Sequence, residues 1–273
     1  MNKLKILALK FYKKIIFGLL ISLIAASVNV QGQGNRIENL VQRDYDPYHF
    51  GFILSFNQMN FSLKANEDVL GKMMATNSVA EFPGIDSVRF LGVNNEPVIG
   101  FTVGIVSNLK LTPLLDLRFI PSLSFGERKL NYAFTSFKED EDPLNVDIHK
   151  SIQSTHIDLP LYVKFKSKRA HNLRAYVLSG IKYTYDLSAN SKKNKEKNDE
   201  LLQLGNQDWL FEAGFGFDYY MPYFKFGVEL KMSYGFNNLL KSQNNIYVDG
   251  IESLKSKFMV YRMADSTIVQ ANS

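Results

Sequence analysis

From Trp209 to Tyr219 the chain alternates without a break. Trp209, Phe211, Ala213, Phe215, Phe217 and Tyr219 share one parity, and Leu210, Glu212, Gly214, Gly216 and Asp218 share the other. A period of two puts the sets on opposite faces of a β-strand. The next segment repeats the pattern, with Phe224, Phe226, Val228, Leu230, Met232, Tyr234 and Phe236 opposing Lys225, Gly227, Glu229, Lys231, Ser233 and Gly235. Only Tyr220 to Tyr223 lie between the two runs, so they read as a hairpin.

Six further segments fit the same template. Tyr48 to Phe56 sets Phe50, Phe52, Leu54 and Phe56 on one face, and Val98 to Leu109 sets Ile99, Phe101, Val103 and Ile105 against Gly100, Thr102, Gly104 and Asn108. Leu115, Leu117, Phe119, Leu123 and Phe125 then oppose Asp116, Arg118, Ser122 and Ser124. Ile157, Leu159, Leu161, Val163 and Phe165 oppose His156, Asp158, Tyr162 and Lys164. Ala175, Val177, Ile181, Tyr183 and Leu187 oppose Arg174, Gly180, Lys182, Thr184 and Asp186. Pro121 and Pro160 fit a bulge or strand end. The eighth strand, Leu254 to Tyr261, has the faintest alternation.

The connections alternate long and short. Lys110 to Leu114, Ser167 to Asn172 and Tyr220 to Tyr223 are short; Asn57 to Pro97, Gly126 to Thr155, Ser188 to Asp208 and Asn237 to Ser253 are long. Short turns at one end and long loops at the other predict an all-β fold, an antiparallel eight-stranded transmembrane β-barrel with short periplasmic turns and long extracellular loops. The barrel is expected over residues 48–261, preceded by a periplasmic segment, 28–47, and followed by a polar tail, 262–273. Two polar stretches, Ser191 to Glu200 and Glu139 to Asp142, read as solvated loop tips.

A soluble lipocalin-like barrel would also have eight strands, but it would have to enclose the aromatic rings and turn glycines and charges outward. Lipid outside is the less costly arrangement, with tyrosines near strand ends supplying interfacial girdles. The inward set then holds Arg118, Lys164, Arg174, Lys182, Lys225 and Lys231 against Asp116, Asp158, Asp186, Glu212, Asp218 and Glu229. In a barrel just wide enough for its own side chains, this balance predicts an ion-paired, plugged lumen; a proton or ion path along the charges is the alternative.

Export is read from the N-terminus. Lys3, Lys5, Lys10, Lys13 and Lys14 precede the apolar run Ile15 to Ala26 and the small residues Ala25, Ala26 and Ser27. Residues 1–27 therefore read as a secretory signal peptide, cleaved between Ala26 and Gln33. A membrane anchor is the other reading, but extended to Val30 the run is 16 residues, short of the roughly 20 a spanning helix needs. The whole chain carries a formal charge of +5; without those five lysines it is near neutral, which removes the case for a nucleic-acid partner. With no cysteine, a lipid-anchored N-terminus, thiolate metal sites and a cysteine nucleophile are excluded.

Candidate chemistry is sparse. His49, His149, His156 and His171 lack metal-ligand spacing. His149 and His156, with Asp147, Asp158, Ser151 and Ser154 nearby, form the one cluster resembling a nucleophile, base and orienter. A loop rich in such residue types is the commoner explanation, so no catalytic, cofactor-binding or metal residue is assigned, no cofactor is expected and the chain is not expected to be an enzyme. Gly214 and Gly216 alternate on a strand and suit a narrow lumen rather than a phosphate loop. The expected partners are outer-membrane lipid and other proteins, with no small-molecule substrate indicated.

Several runs carry a resemblance: Gly100 to Leu111, Asp116 to Arg128, Ile157 to Lys164, Gly214 to Asp218 and Gly227 to Phe236. Together they resemble the PorT family of Bacteroidetes outer-membrane barrel proteins, over about Tyr48 to Lys257, with Arg118 to Arg128 the most specific portion. The resemblance implies a part in the type IX secretion system, which exports proteins bearing a C-terminal sorting domain and is linked to gliding. It also implies a barrel ending on a strand near an aromatic residue, whereas here Phe258 to Tyr261 run into Arg262 to Ser273. The alternative role is a general barrel that binds ligands, adheres or supports the envelope through its extracellular loops.

Overall fold

The computed structural model describes residues 38–41, 46–75, 85, 87–138, 142–188, 204–240 and 246–266. The expected signal peptide, the loop tip Ser191 to Glu200 and tail residues 267–273 lie outside these. Ten strands follow in order: β1 Tyr48–Ala65, β2 Met73–Ala75, β3 Ser87–Lys110, β4 Leu115–Phe119, β5 Ser122–Phe137, β6 Leu144–Lys166, β7 Leu173–Asp186, β8 Gln207–Tyr220, β9 Lys225–Gly235 and β10 Ile251–Ser266. Helix is limited to one turn among the described residues, Ile246–Asp249.

The strands close into a ring. Each long strand pairs antiparallel with the next, and β10 returns to β1 from Phe52↔Asp265 to Ala65↔Ile251. β4 and β5 together fill one position between β3 and β6, so eight staves form the barrel. The division falls at Ile120-Pro121, because proline has no N–H to give the ladder. Pro121 keeps its acceptor role, taking the Ile105 N–H at 3.0 Å. Ile120 still points inward, with 1% of its surface exposed, so the parity of Asp116 and Arg118 continues through Ser124.

On β6, β5 and β1 polarity inverts while parity does not; β3 shifts its parity at irregularities between Phe90 and Gly92 and between Pro97 and Phe101. On β6 the odd positions face out: Phe165, Val163, Leu161, Leu159 and Ile157 are apolar, and then come Gln153, Ser151, His149, Asp147 and Asn145. The even positions face in and change the other way, from Lys166, Lys164, Asp158 and His156 to Ile152, Ile148 and Val146. β5 mirrors this, going outside from Leu123 and Phe125 to Glu127, Lys129 and Asn131 and inside from Ser124 and Arg128 to Leu130, Tyr132 and Phe134. β1 changes on its outer face from Phe52, Leu54 and Phe56 to Gln58, Asn60, Ser62 and Lys64. The lower part is built for lipid outside; the upper part has water outside and an apolar core within.

The upper core gathers Phe61, Val88, Phe90, Leu130, Tyr132, Phe134, Tyr247, Ile251 and Leu254. The Tyr247 ring meets Tyr132 edge-on at 5.1 Å and Phe134 at 6.0 Å between centroids, in arrangements aromatic pairs favour. Here the ring of staves changes. β1 pairs with β3 only as far as Met59↔Val98 and then continues with β10 alone, while β2 pairs with β3 over Met73↔Arg89 to Ala75↔Ser87. The Asn95 side-chain amide spans the parting by donating to the Phe61 carbonyl at 3.0 Å.

Two expectations are corrected. Asn57 to Pro97 and Gly126 to Thr155, read as long loops, are largely strand, because β1, β3, β5 and β6 run on above the membrane. The last strand is longer than Leu254 to Tyr261 and reaches Ser266. Arg262, placed in a polar tail at the end of the 48–261 barrel, instead points into the lumen and is 3% exposed.

Candidate functional site: the charged lumen

The lumen is filled by the side chains of its own staves, tied around three carboxylates. Glu229 on β9 receives Arg118 from β4 at 3.0 Å, Arg262 from β10 at 3.3 Å and the Tyr176 hydroxyl from β7 at 2.8 Å. Glu212 on β8 receives Lys231 at 2.7 Å, Lys182 at 3.1 Å, and the hydroxyls of Tyr162 and Ser233, each at 2.5 Å. Asp218 takes Lys164 at 2.6 Å and Lys225 at 3.7 Å. The Lys164 ammonium also lies 3.5 Å from the centre of the Tyr176 ring, a cation–π contact between the neighbouring strands β6 and β7. The Glu212 and Asp218 clusters tie together the run of staves from β6 to β9, and Arg118–Glu229 joins the opposite staves β4 and β9, so the bore is crossed as well as lined.

Glycine makes the crossings possible. A Cβ at Gly216 would meet the Tyr176 ring at 2.6 Å, and one at Gly235 would meet Asp208 Oδ2 at 2.6 Å. Both positions lie on the lumen face, where the aromatic and carboxylate groups take the space that a side chain would occupy.

A closed antiparallel ring with an apolar outer belt and a polar bore finds its counterpart among known proteins. A family model of the outer membrane protein beta-barrel domain matches residues 31–241. The chain belongs to that family. Among solved structures it is similar to the outer membrane protein OprG from Pseudomonas aeruginosa, with 11% identity, 88% of this chain and 99% of that one covered, and a TM-score of 0.42. No curated protein matches the chain.

As an outer-membrane barrel the chain has its twelve sequence-assigned lumen charges pointing inward. All are buried except Lys225, which is half-buried near the periplasmic end. Sequence reasoning missed four more. Arg128, Lys166, Asp208 and Arg262 are also buried on the lumen side, so the balance of six against six does not describe the interior. Arg128 donates to the Ser154 hydroxyl at 2.5 Å and to Asp186 at 3.2 Å, with its guanidinium 4.6 Å from the Phe61 ring centre. It sits where the polar bore gives way to the apolar upper core. The signal for it was available, since Arg128 shares the parity of Ser122 and Ser124.

The cluster of serine, histidine and aspartate residues is divided by the strand. His149 and Ser151 face outward, His149 to the Asn131 carboxamide oxygen at 2.8 Å and Ser151 to Glu127 at 2.5 Å. Ser154, His156 and Asp158 face inward, but each has a different partner. Ser154 accepts from Arg128, His156 Nε2 lies 3.3 Å from Asp186, and Asp158 accepts from the hydroxyls of Ser124 at 2.5 Å and Thr184 at 2.7 Å.

The outer belt has its aromatic margin. Tyr183 and Trp209, adjacent across β7 and β8, place their rings 5.0 Å apart toward the upper edge. At the periplasmic end Tyr219 and Tyr223 are exposed, a position that suits amphipathic rings at headgroup level.

Proposed function

We propose that this outer-membrane barrel is a component of the type IX protein secretion system, needed for export of proteins with C-terminal sorting domains and acting through protein contacts. The observation that carries the contact-based role is the filled bore. Arg118 and Arg262 converge on Glu229, and Lys182 and Lys231 on Glu212, which leaves the surfaces as the working parts. Assignment to this particular apparatus is supported by the PorT resemblance, strongest over Arg118 to Arg128. Both arginines of that run are buried in the lumen network, which explains why they matter to such a barrel and leaves partner choice to the exposed ends.

The test is deletion of the gene followed by proteomics of medium and periplasm. Proteins with C-terminal sorting domains are expected to accumulate in the periplasm, and a plasmid copy is expected to restore their export. Unchanged export would overturn the secretion reading and favour a ligand-binding, adhesive or envelope-structural role for the extracellular part.

A further inference from the structure

We propose that the periplasmic mouth of the barrel is a docking site for an acidic segment of a periplasmic partner protein, received in a basic recess just inside the ring. This goes beyond the secretion reading and stands or fails separately from it.

The lumen charges are unevenly spread along the barrel axis. At the short-turn ends of the staves stand Arg118, Lys164, Lys166, Arg174, Lys225 and Arg262, opposed among the described lumen residues by Asp116, Asp218 and Glu229. Toward the other end, Lys182, Lys231 and Arg128 face a carboxylate majority of Asp158, Asp186, Asp208 and Glu212. The periplasmic mouth therefore carries a formal positive excess, and low-dielectric walls focus such a field on an approaching anion.

The mouth also has a carboxylate-sized recess and an uncommitted donor. A small recess of about 20 Å³, the size of a water or a single carboxylate group, is lined by Arg118, Lys225, Arg262, Asn108, Tyr176 and His49, with Asp218 as the carboxylate on its wall. Arg262 spends its Nη1 on Glu229, but its buried Nε–H has no acceptor. A buried N–H is normally paired, and an arriving carboxylate suits a guanidinium better than any neutral group.

The rim favours a polypeptide over a free anion. It already holds a piece of chain in this way. The Asn39 N–H donates to the Asn172 side-chain oxygen at 2.9 Å, the Asn39 carboxamide donates to the Tyr220 carbonyl at 3.1 Å, and Arg169 donates to the Asn39 carbonyl. Backbone-directed bonds of this type at the edge, beside a cationic recess, are what a partner segment with acidic side chains requires.

The experiment uses the full-length barrel in detergent micelles and a rhodamine-labelled octapeptide of alternating glutamate and glycine, followed by fluorescence anisotropy. Saturable binding that weakens with added salt is expected, along with no binding of the glutamine–glycine counterpart. Lys225→Gln, at the half-buried rim, should weaken binding about tenfold, as loss of one charge-assisted contact implies. Lys255→Gln, on the outer surface of β10, should leave it unchanged. Equal binding of the two peptides, or unaltered binding by the Lys225 variant, overturns the proposal. Complete displacement by equimolar inorganic phosphate also overturns it, because the recess would then be a site for small anions.

Discussion

The lower and upper parts of this barrel share strands, yet they are stabilised in opposite ways. Below Gln58 and Gln153, the outward residues meet lipid, which gives no hydrophobic reward for burial inside, and the bore is filled with charges that satisfy one another. Above that line the outward residues meet water, and inward Leu130, Tyr132 and Phe134 gain the usual benefit of leaving it. The strands run on through the change, although β1 parts from β3 close to it, at Met59↔Val98. The same β-strand serves two solvents because side-chain alternation is indifferent to which face is apolar.

The largest effect is expected at Glu212, whose loss leaves Lys182 without its carboxylate and Lys231 with only Glu229, at 3.8 Å. Glu212→Gln is expected to cost the inserted barrel about 3–5 kcal/mol, read as a lower urea midpoint in vesicles; a shift of under about 1 kcal/mol would mean that the lumen charges find other partners. Leu130→Ala, in the upper core, is expected to cost about 2–5 kcal/mol and to act locally. Protease protection of the upper strands should fall while the heat-dependent gel shift of the barrel persists. Loss of both together would make the two parts one cooperative unit.

A pair of outward substitutions sharpens the contrast. Leu161→Lys places a charge in hydrocarbon and should cost about 2–4 kcal/mol, whereas Ala133→Lys, on the same kind of face above the membrane, should change stability by less than about 0.5 kcal/mol. Similar costs at both sites would displace the boundary argued from β5 and β6. The smallest expected effect is in planar bilayers, where the wild-type protein should add no stable conductance because its bore is crossed by ion pairs.

Much of this was legible in the sequence, because a membrane stave shows both of its faces at once. Phe211 against Glu212 or Val163 against Lys164 identifies strand, face and lumen together, and the twelve assigned charges all point inward. The upper strands were harder to see. A scan for apolar outward positions loses them when that parity turns to Gln58, Asn60 and Ser62, and the inward apolar run on β6 is interrupted by Lys150. β10 was faint for a different reason. Phe258 and Val260 point inward while Met259 and Tyr261 point outward, so both parities are apolar and the alternation cancels, hiding Arg262 at its end. Which macromolecule meets the exposed ends is a matter of surface complementarity, and one chain's periodicity does not encode it.

The seam between β1 and β10 constrains how such a barrel is made. Its register joins Phe52 to Asp265, so the first stave waits for the last, and every other pairing can form while the ring is still an open sheet. An open sheet within the bilayer would leave two rows of N–H and C=O groups facing hydrocarbon, each costing several kcal/mol. Closure of this kind depends on contacts between residues far apart in sequence, which form slowly. The unfinished edges must therefore be sheltered until β10 arrives, and a protein lacking Ile251–Ser266 should stall at that stage instead of inserting as a seven-staved barrel.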